Sequence, residues 1–312
     1  MEVVRYCYER KTEWDAFVLA AKNSTFLFMR DYMDYHSDRF TDASLMFYDE
    51  GRLRALLPAN LGSDGVVASH AGLTYGGFVL SADVRGVEVI RLFETAMQWM
   101  KRELAATAFI YKPLPYIYSA VPSQEDLYAL FKMGARLVAR SLSSAVNNAA
   151  RMNFSQLRRR KVTKALKEGI DCAASGDFPS YWAILTDVLG SAHGCRPVHS
   201  LEEITMLAAR FPENIKLYAA SRAGVMLAGC VVYETKHVAH IQYIAASPEG
   251  KAVGALDALF DHMFTCVYSK IDYIDFGIST ENGGSLLNEG LLFQKEGFGG
   301  RGVVYDVYEV LL

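Results

Sequence analysis

The chain has 312 residues, more than one hydrophobic core usually serves, and its composition, 51% hydrophobic and 21% charged, excludes a disordered protein. A net charge of −3 speaks against a protein whose main task is coating nucleic acid, while leaving room for a local basic patch. Five scattered cysteines (Cys7, Cys172, Cys195, Cys230, Cys266) form no CxxC pair, which speaks against a zinc cluster or a disulfide framework and reads as reduced thiols.

The amino terminus, Met1-Glu2-Val3-Val4-Arg5, lacks the apolar core of a signal peptide, and no apolar run approaches the roughly 18 residues that span a bilayer. A cytoplasmic protein is expected. Residues 3–8 alternate like a strand, and residues 13–22 have helical spacing. Strand-like runs at 44–48 and 53–60 flank Asp49-Glu50-Gly51, a hairpin turn. A strand near 66–69 precedes a glycine-rich segment at 71–78. Residues 84–105 read as a long amphipathic helix, 107–112 as a buried strand stopped by Pro113 and Pro115, 126–133 as a short helix, and 137–147 as a strand. A basic helix runs from 154 to 167, followed by helices at 178–192 and 201–210. Then a hairpin returns, 215–221 and 225–234 around Arg222-Ala223-Gly224, with a strand at 238–247, a long helix at 251–269, a buried strand at 271–276 and a last strand at 303–310.

Hairpin, strand, glycine-bearing loop, long helix and buried strand thus occur twice, offset by about 170 residues, which reads as a duplicated domain and not a solenoid. A polar, alanine-rich stretch at 147–153 sets the expected boundary, giving domains 1–150 and 151–312. The expected fold class is α/β (α+β), each half a mixed central sheet flanked by helices.

Chemistry concentrates in the carboxy-terminal fifth. The strand ending at Ser247 runs into Pro248-Glu249-Gly250-Lys251-Ala252-Val253-Gly254, and such a loop at a helix mouth offers backbone N–H groups and the helix dipole to a pyrophosphate. Equally, Gly250 closes a turn and Gly254 allows close packing. Next, a buried strand ends in Asp275, with Ser279, Thr280, Glu281 and Asn282 beyond it. Ligands sit beyond the carboxyl ends of strands in open α/β sheets, although caps and turns use the same residue types. Lys295 lies between a helix and a glycine-rich turn, where it either steadies charge on a carbonyl oxygen or stays a solvated surface group. His237 and His240 read as structural, since their spacing matches no metal-binding helix, and no metal is expected. His70 and Tyr75, beside and within the glycine-rich segment, are placed to contact an acceptor and to stack on a sugar or base. Arg158-Arg159-Arg160-Lys161 with Lys164 and Lys167 is either a solvated helix face or a seat for phosphate groups of tRNA, CoA or a nucleotide-linked sugar.

Asp275-Phe276-Gly277, then Gly290-Leu291, then Phe293-Gln294-Lys295-Glu296-Gly297-Phe298-Gly299-Gly300-Arg301 resembles the carboxy-terminal signature of the FemAB-like acyltransferases of the GNAT superfamily. Asn23-Ser24-Thr25-Phe26-Leu27, Leu56-Leu57-Pro58, residues 72–78 and the basic helix ending in Gly169-Ile170 are weaker echoes. The resemblance implies tandem duplicated GNAT-like (acyl-CoA N-acyltransferase) domains, with the donor on the second. It implies acyl-CoA (acetyl-CoA) as donor substrate. The pantetheine would lie between splayed strands at 240–247 and 271–276, against Tyr243, Ile244 and Ala246, and the pyrophosphate at Gly250, Lys251 and Gly254. In the aminoacyl-transferring branch the donor is aminoacyl-tRNA, the acceptor a peptidoglycan precursor, and the lysine matching Lys295 handles the donor ester. The sequence departs from the pattern at Glu249, where a basic or neutral residue is usual, and at Gln294, where the family has Phe. It also lacks the long coiled-coil insertion of some tRNA-using members.

Acyl transfer to an amine needs a proton acceptor, a hold on the tetrahedral oxyanion and support for the leaving atom, but no covalent enzyme intermediate. Backbone N–H groups at 243–246 are expected to hold the oxyanion. Glu281 or Asp275 takes the proton, and Lys295 or Tyr243 steadies the leaving group. Asn282, Asn288 and Arg158 join His70 and Tyr75 as acceptor contacts. The expected function is transfer from acyl-CoA to an amine of a small molecule or cell-envelope precursor such as an amino sugar. An aminoacyl-tRNA-using transferase and a catalytically silent GNAT-fold binding protein are the rivals.

Overall fold

The computed structural model describes residues 1–312, apart from the side chains of Ala192 and His193. Two compact units form, one from Met1–Leu142, Thr280–Leu286 and Val304–Leu312, the other from Ser143–Ser279 and Leu287–Val303. The change of unit falls inside a strand, and two later segments rejoin the first unit without any shift in composition to mark them.

The first unit contains β1 (Glu2–Arg5), α1 (Lys11–Ala20), α2 (Arg30–Met33), β2 (Thr41–Asp42), β3 (Leu45–Asp49), β4 (Arg52–Leu57), β5 (Asn60–Leu61), β6 (Val66–Ala68), β7 (Val79–Leu80), α3 (Gly86–Leu104), β8 (Ala108–Tyr111), α4 (Glu125–Lys132) and the start of β9 (Arg136–Asn147). Strands β1, β3, β4 and β7 pair antiparallel in that order. Strands β2, β5 and β6 pair antiparallel, and β6 runs parallel to β8. Between β3 and β4, Glu50 and Gly51 take φ of 49° and 76°, the left-handed pair that lets a two-residue turn follow the twist of its strands. Helix α3 carries Val89, Leu92, Phe93, Ala96 and Met100 at three- and four-residue spacing, and these share one core with Phe47, Phe78 and Phe109.

The second unit holds the end of β9, then α5 (Gln156–Lys167), β10 (Asp171–Ser175), α6 (Phe178–His193), α7 (Leu201–Arg210), β11 (Ile215–Arg222), β12 (Val225–Glu234), β13 (Val238–Ala246), α8 (Pro248–Val253), α9 (Ala255–His262), β14 (Tyr273–Ile278) and α10 (Glu289–Gly297). Strands β10 to β13 are antiparallel neighbours, β13 is parallel to β14, and β14 is antiparallel to residues 143–147 of β9. Its hairpin repeats the first unit's turn, with Ala223 and Gly224 at φ of 49° and 79°. A short ribbon, β15 (Thr280–Glu281) with β16 (Leu286–Leu287), follows β14, and β17 (Arg301–Leu311) pairs antiparallel with β8 in the first unit. Each unit thus carries a hairpin followed by a parallel strand pair joined through a helix, the mixed α/β arrangement that the sequence suggested.

The long helix expected at 251–269 is instead broken. Helix α8 stops at Gly254, which is left-handed at φ 82°, α9 begins at once, and a single π-helical turn (Met263–Val267) closes it. At the break α5 lies against α8 and α9, and a Cβ on Gly254 would stand 2.9 Å from the Lys161 carbonyl oxygen. Helix starts follow the sequence more closely: Ser155 caps α5, Ser247 caps α8, and Ser200 with Glu203 forms a capping box on α7.

Candidate active site

The parallel ladder between β13 and β14 pairs Val238 with Tyr273, Ala239 with Ile274 and His240 with Asp275, and stops there. Strand β13 nevertheless runs on to Ala246, hydrogen-bonded to β12 along its other edge. The strands therefore part beyond His240. Residues 241–246 turn one edge of backbone N–H and C=O groups into the opening, as the resemblance implied for this region. Ile244 and Ala246 lie on this stretch, paired with Cys230 and Ala228 of β12.

A bulge sets which side chains face which way. Between Val231–Tyr243 and Val232–Ile241 the register slips by one, at Gln242. Ala239, Ile241 and Ala246 join the core that contains α9. His240 and Tyr243 fall on the other face, beside Tyr233 and Val231 of β12, where α6 brings Tyr181 over Gly229 and Trp182 edge-on to Tyr243 at 5.2 Å. The Tyr243 hydroxyl lies 2.6 Å from Nδ1 of buried His199 and accepts from the His199 backbone N–H at 3.3 Å.

Asp275 is 0% exposed. One carboxylate oxygen accepts from the Ser143 hydroxyl at 2.6 Å and from the Gly277 N–H at 3.1 Å, and the other faces His240 Nδ1 at 2.9 Å. The β14–β9 register shifts between Asp275 and Ile278, so Phe276 and Gly277 leave the regular ladder. Lys295, on the last turn of α10 and 3% exposed, donates to the carbonyls of Gly277 at 2.8 Å and Ile278 at 2.6 Å. Burial pulls its pKa down to about 8, and the charge of Asp275 opposes that fall. Lys295 therefore holds the displaced turn in place through backbone carbonyls.

The phosphate-loop residues are engaged within the protein. Pro248 has no N–H, the Gly250 N–H donates to Ser247 Oγ at 3.0 Å, and the Lys251 N–H to the Ser247 carbonyl at 2.9 Å. Gly250 is buried so tightly against β12 that a Cβ there would stand 2.2 Å from the Leu227 carbonyl oxygen. Glu249 occupies the first turn of α8 and is paired with Arg222, which also reaches Glu168 at 3.2 Å. A carboxylate thus stands in the first turn of α8, where it adds negative charge against an incoming pyrophosphate.

Arg158, the buried member of the basic helix, bonds Asp257 of α9 at 3.1 Å and covers the Phe298 ring at 4.7 Å. Asn288 caps α10 by accepting from the Leu291 N–H at 3.0 Å. Glu281 and Asn282 are exposed and belong to the first unit. In that unit Tyr75 is buried, its hydroxyl 3.2 Å from Thr25 Oγ1, and it lies against Tyr118 and Phe28. His70 is buried in a left-handed conformation (φ 62°), stacked 5.4 Å from the His36 ring, with Nδ1 lacking any partner. Burial lowers its pKa to about 3, so it stays neutral.

The sequence did not point to the contacts of Ser143 and His199, nor to the partner of His240, which it read as structural. One signal was present: His237 lies 2.6 Å from Asp272 and His240 2.9 Å from Asp275, both pairs 35 residues apart, as a constant register between parallel strands requires. Among the described residues no group of three or more His, Cys, Asp or Glu side chains is arranged to hold a metal ion, and no helix is long and apolar enough to cross a membrane.

Comparison with known proteins agrees with this geometry. Residues 152–282 match the acetyltransferase (GNAT) domain family. No curated protein sequence matches the chain significantly. Among solved structures, FemX superposes with a TM-score of 0.70 at 13% identity, covering 100% of this chain and 98% of FemX. The C-terminal domain of an Agrobacterium fabrum protein assigned as a lysylphosphatidylglycerol synthetase gives 0.60 at 12% identity, covering 96% and 92% of the two chains. L-PGS from Bacillus licheniformis gives 0.58 at 12%, covering 97% and 91%. Residues 152–282 thus match the GNAT domain family, and the chain has the FemX fold over its whole length.

Proposed function

We propose that the second unit transfers an acyl group from an activated ester or thioester to an amine of a small molecule or cell-envelope precursor, such as an amino sugar. The observation that carries this reading is the parting of β13 and β14 beyond His240 and Asp275. A donor laid into that opening extends the sheet, and its carbonyl oxygen meets backbone N–H groups of residues 243–246 that are already oriented for it. Tyr243, held by His199, stands beside that point and supplies the proton the leaving atom takes up. Lys295 acts by fixing the Gly277–Ile278 turn.

Two donors fit the opening differently. Acyl-CoA fits it with the pantetheine arm, but its pyrophosphate meets Glu249 at α8. An aminoacyl ester on tRNA makes no demand on α8, and the pairing of Glu249 with Arg222 favours this second reading. The fold shared with FemX and with the synthetase domain supports an envelope-related acceptor for either donor. Calorimetry with acetyl-CoA separates them. Heat of binding at ~100 μM or below, a mid-affinity range, supports the thioester donor, and no heat removes it. Retention of charged tRNA that weakens steeply with added salt supports the tRNA donor, and indifference to salt removes that one.

A further inference from the structure

Helix α5 carries six basic residues and no acidic one in its twelve positions. Its apolar side faces inward, where Val162 and Ala165 share a core with Ala258 and Leu259 of α9. Arg158 turns inward with them and meets a carboxylate, Asp257 at 3.1 Å. The other five cations face outward: Arg159, Arg160, Lys164 and Lys167 are exposed and Lys161 is partly so. Among the described residues none of these five is paired with a carboxylate, and Lys164 donates to the Ala252 carbonyl of α8 at 2.9 Å. Nearby acids are engaged elsewhere, since Arg222 takes both Glu168, just past the helix, and Glu249 on α8. This pattern works against the helix that carries it. Arg160 and Lys164 are four apart, Lys161 and Lys164 three, and Lys164 and Lys167 three, so like charges meet on one side. Arg158 and Arg159 stand near the amino end, the positive pole of the helix dipole, where acids are favoured. Uncompensated conflict between local electrostatics and fold is characteristic of a surface kept for a partner.

That partner is a repeated anion. From Arg160 to Lys167 the stripe runs about 10 Å, a local positive field on a chain of net charge −3. A bilayer would need a continuous apolar face beside the cations, whereas the large apolar side chains that α5 exposes, Leu157 and Leu166, stand at its two ends. A single small anion would need a cleft, whereas these cations line an open helix surface. A phosphate backbone suits the stripe, because its charge repeats along its length and each cation neutralises its own phosphate. We propose that the exposed face of α5, Arg160, Lys164 and Lys167 flanked by Arg159 and Lys161, docks the phosphate backbone of an RNA; this rests on the aminoacyl-tRNA reading above. Helix α8 joins that face to the opening, since α8 begins just after β13 ends and its Ala252 carbonyl holds the Lys164 ammonium. RNA held along α5 leaves its single-stranded 3′ end, which carries the ester, free to enter beside residues 241–246.

Filter retention of uncharged tRNA at about 50 to 200 mM salt tests this. Wild type is compared with a triple variant of α5, Arg160→Gln, Lys164→Gln and Lys167→Gln. A control triple, Arg91→Gln, Lys101→Gln and Lys132→Gln, removes the same charge from exposed sites of the first unit. Thermal melting checks that each is folded. The α5 triple should bind at least about tenfold more weakly, and its slope of log affinity against log salt should be shallower by about 2 to 3. The control triple should stay close to wild type. Transfer to an amino sugar from a 3′-aminoacyl nucleoside, too short to reach α5, should be alike in all three proteins. Equal binding by wild type and the α5 triple, equal loss in both triples, or retention of phosphatidylglycerol vesicles in place of tRNA overturns the docking surface and leaves the transferase reading intact. A folded wild type that retains no tRNA overturns the surface and the tRNA donor together. Retention through α5 without transfer from charged tRNA or the nucleoside ester overturns the acyl-transfer reading and leaves the surface standing.

Discussion

Lys295 illustrates how a residue's surroundings redirect its chemistry. A lysine at the edge of a glycine-rich turn reads as either an electrostatic helper or a solvated charge, and burial removes the second: it is an almost fully buried tie between α10 and two carbonyls at the end of β14. Its pKa of about 8 when folded, against 10.5 for an ordinary lysine, has a definite thermodynamic sign. Between those values the unfolded chain holds the extra proton, so this residue's contribution to stability rises with pH across that window and is at its least favourable below pH 8. Urea midpoints of wild type and Lys295→Met, compared at pH 7 and pH 10, should shift relative to each other in favour of wild type at the higher pH. Parallel behaviour would show that the amine is not desolvated. Lys112 in the first unit, likewise lowered to about 8 by burial, remains in both proteins and cancels from the comparison. Asp275 and Lys295 drew attention through the signature they belong to, whereas the pairing of His240 with Asp275 was not legible. Its partner is set by strand register, and only the matched 35-residue spacings of His237–Asp272 and His240–Asp275 hinted at it.

At the level of elements, the hairpins were the most legible parts of the chain. Glu50-Gly51 and Ala223-Gly224 adopt the paired left-handed conformation that their turn requires, a local property readable from a few residues. The break between α8 and α9 was not legible: a glycine within a helical pattern is compatible with a continuous helix, and the close approach of α5 at Lys161 to Gly254 is distant in sequence. Short or polar strands such as β2, β5 and β10 escaped for a similar reason, since neighbours rather than their own alternation define them. The role of α8 can be tested on this scale. Gly250→Ala should cost roughly 1–3 kcal/mol in urea unfolding, because the new methyl meets the Leu227 carbonyl and α8 must lift from β12. Gly290→Ala, whose nearest neighbour would be Asn288 Oδ1 at 3.8 Å, should be neutral or slightly stabilising. Equal effects at the two sites would mean that α8 is not seated as described.

For the whole molecule, the sequence disclosed the repeated order of elements but not how the chain is shared out. Residues 304–312 rejoin the first unit, where Tyr308 to Leu311 pair with Tyr111 to Ala108 and Val310 enters the core beside Phe109. Nothing in the composition of β17 names its partner, since both faces of a strand look alike until a neighbour is chosen. A fragment ending at residue 150 therefore lacks the strand that covers β8. It should exchange its β8 amides far faster than the intact chain in hydrogen-exchange mass spectrometry, with slow exchange restored when a peptide spanning residues 301–312 is added. Full protection of the bare fragment would deny β17 this role.

That return of the chain also has a meaning in time. On the ribosome residues appear in order, and a first unit complete at residue 142 would fold while the rest is still being made. Here the strand that closes it emerges only after every residue of the second unit has been synthesised. The edge of β8 stays open through most of translation, as a place where a chaperone can bind or a neighbouring nascent chain can pair.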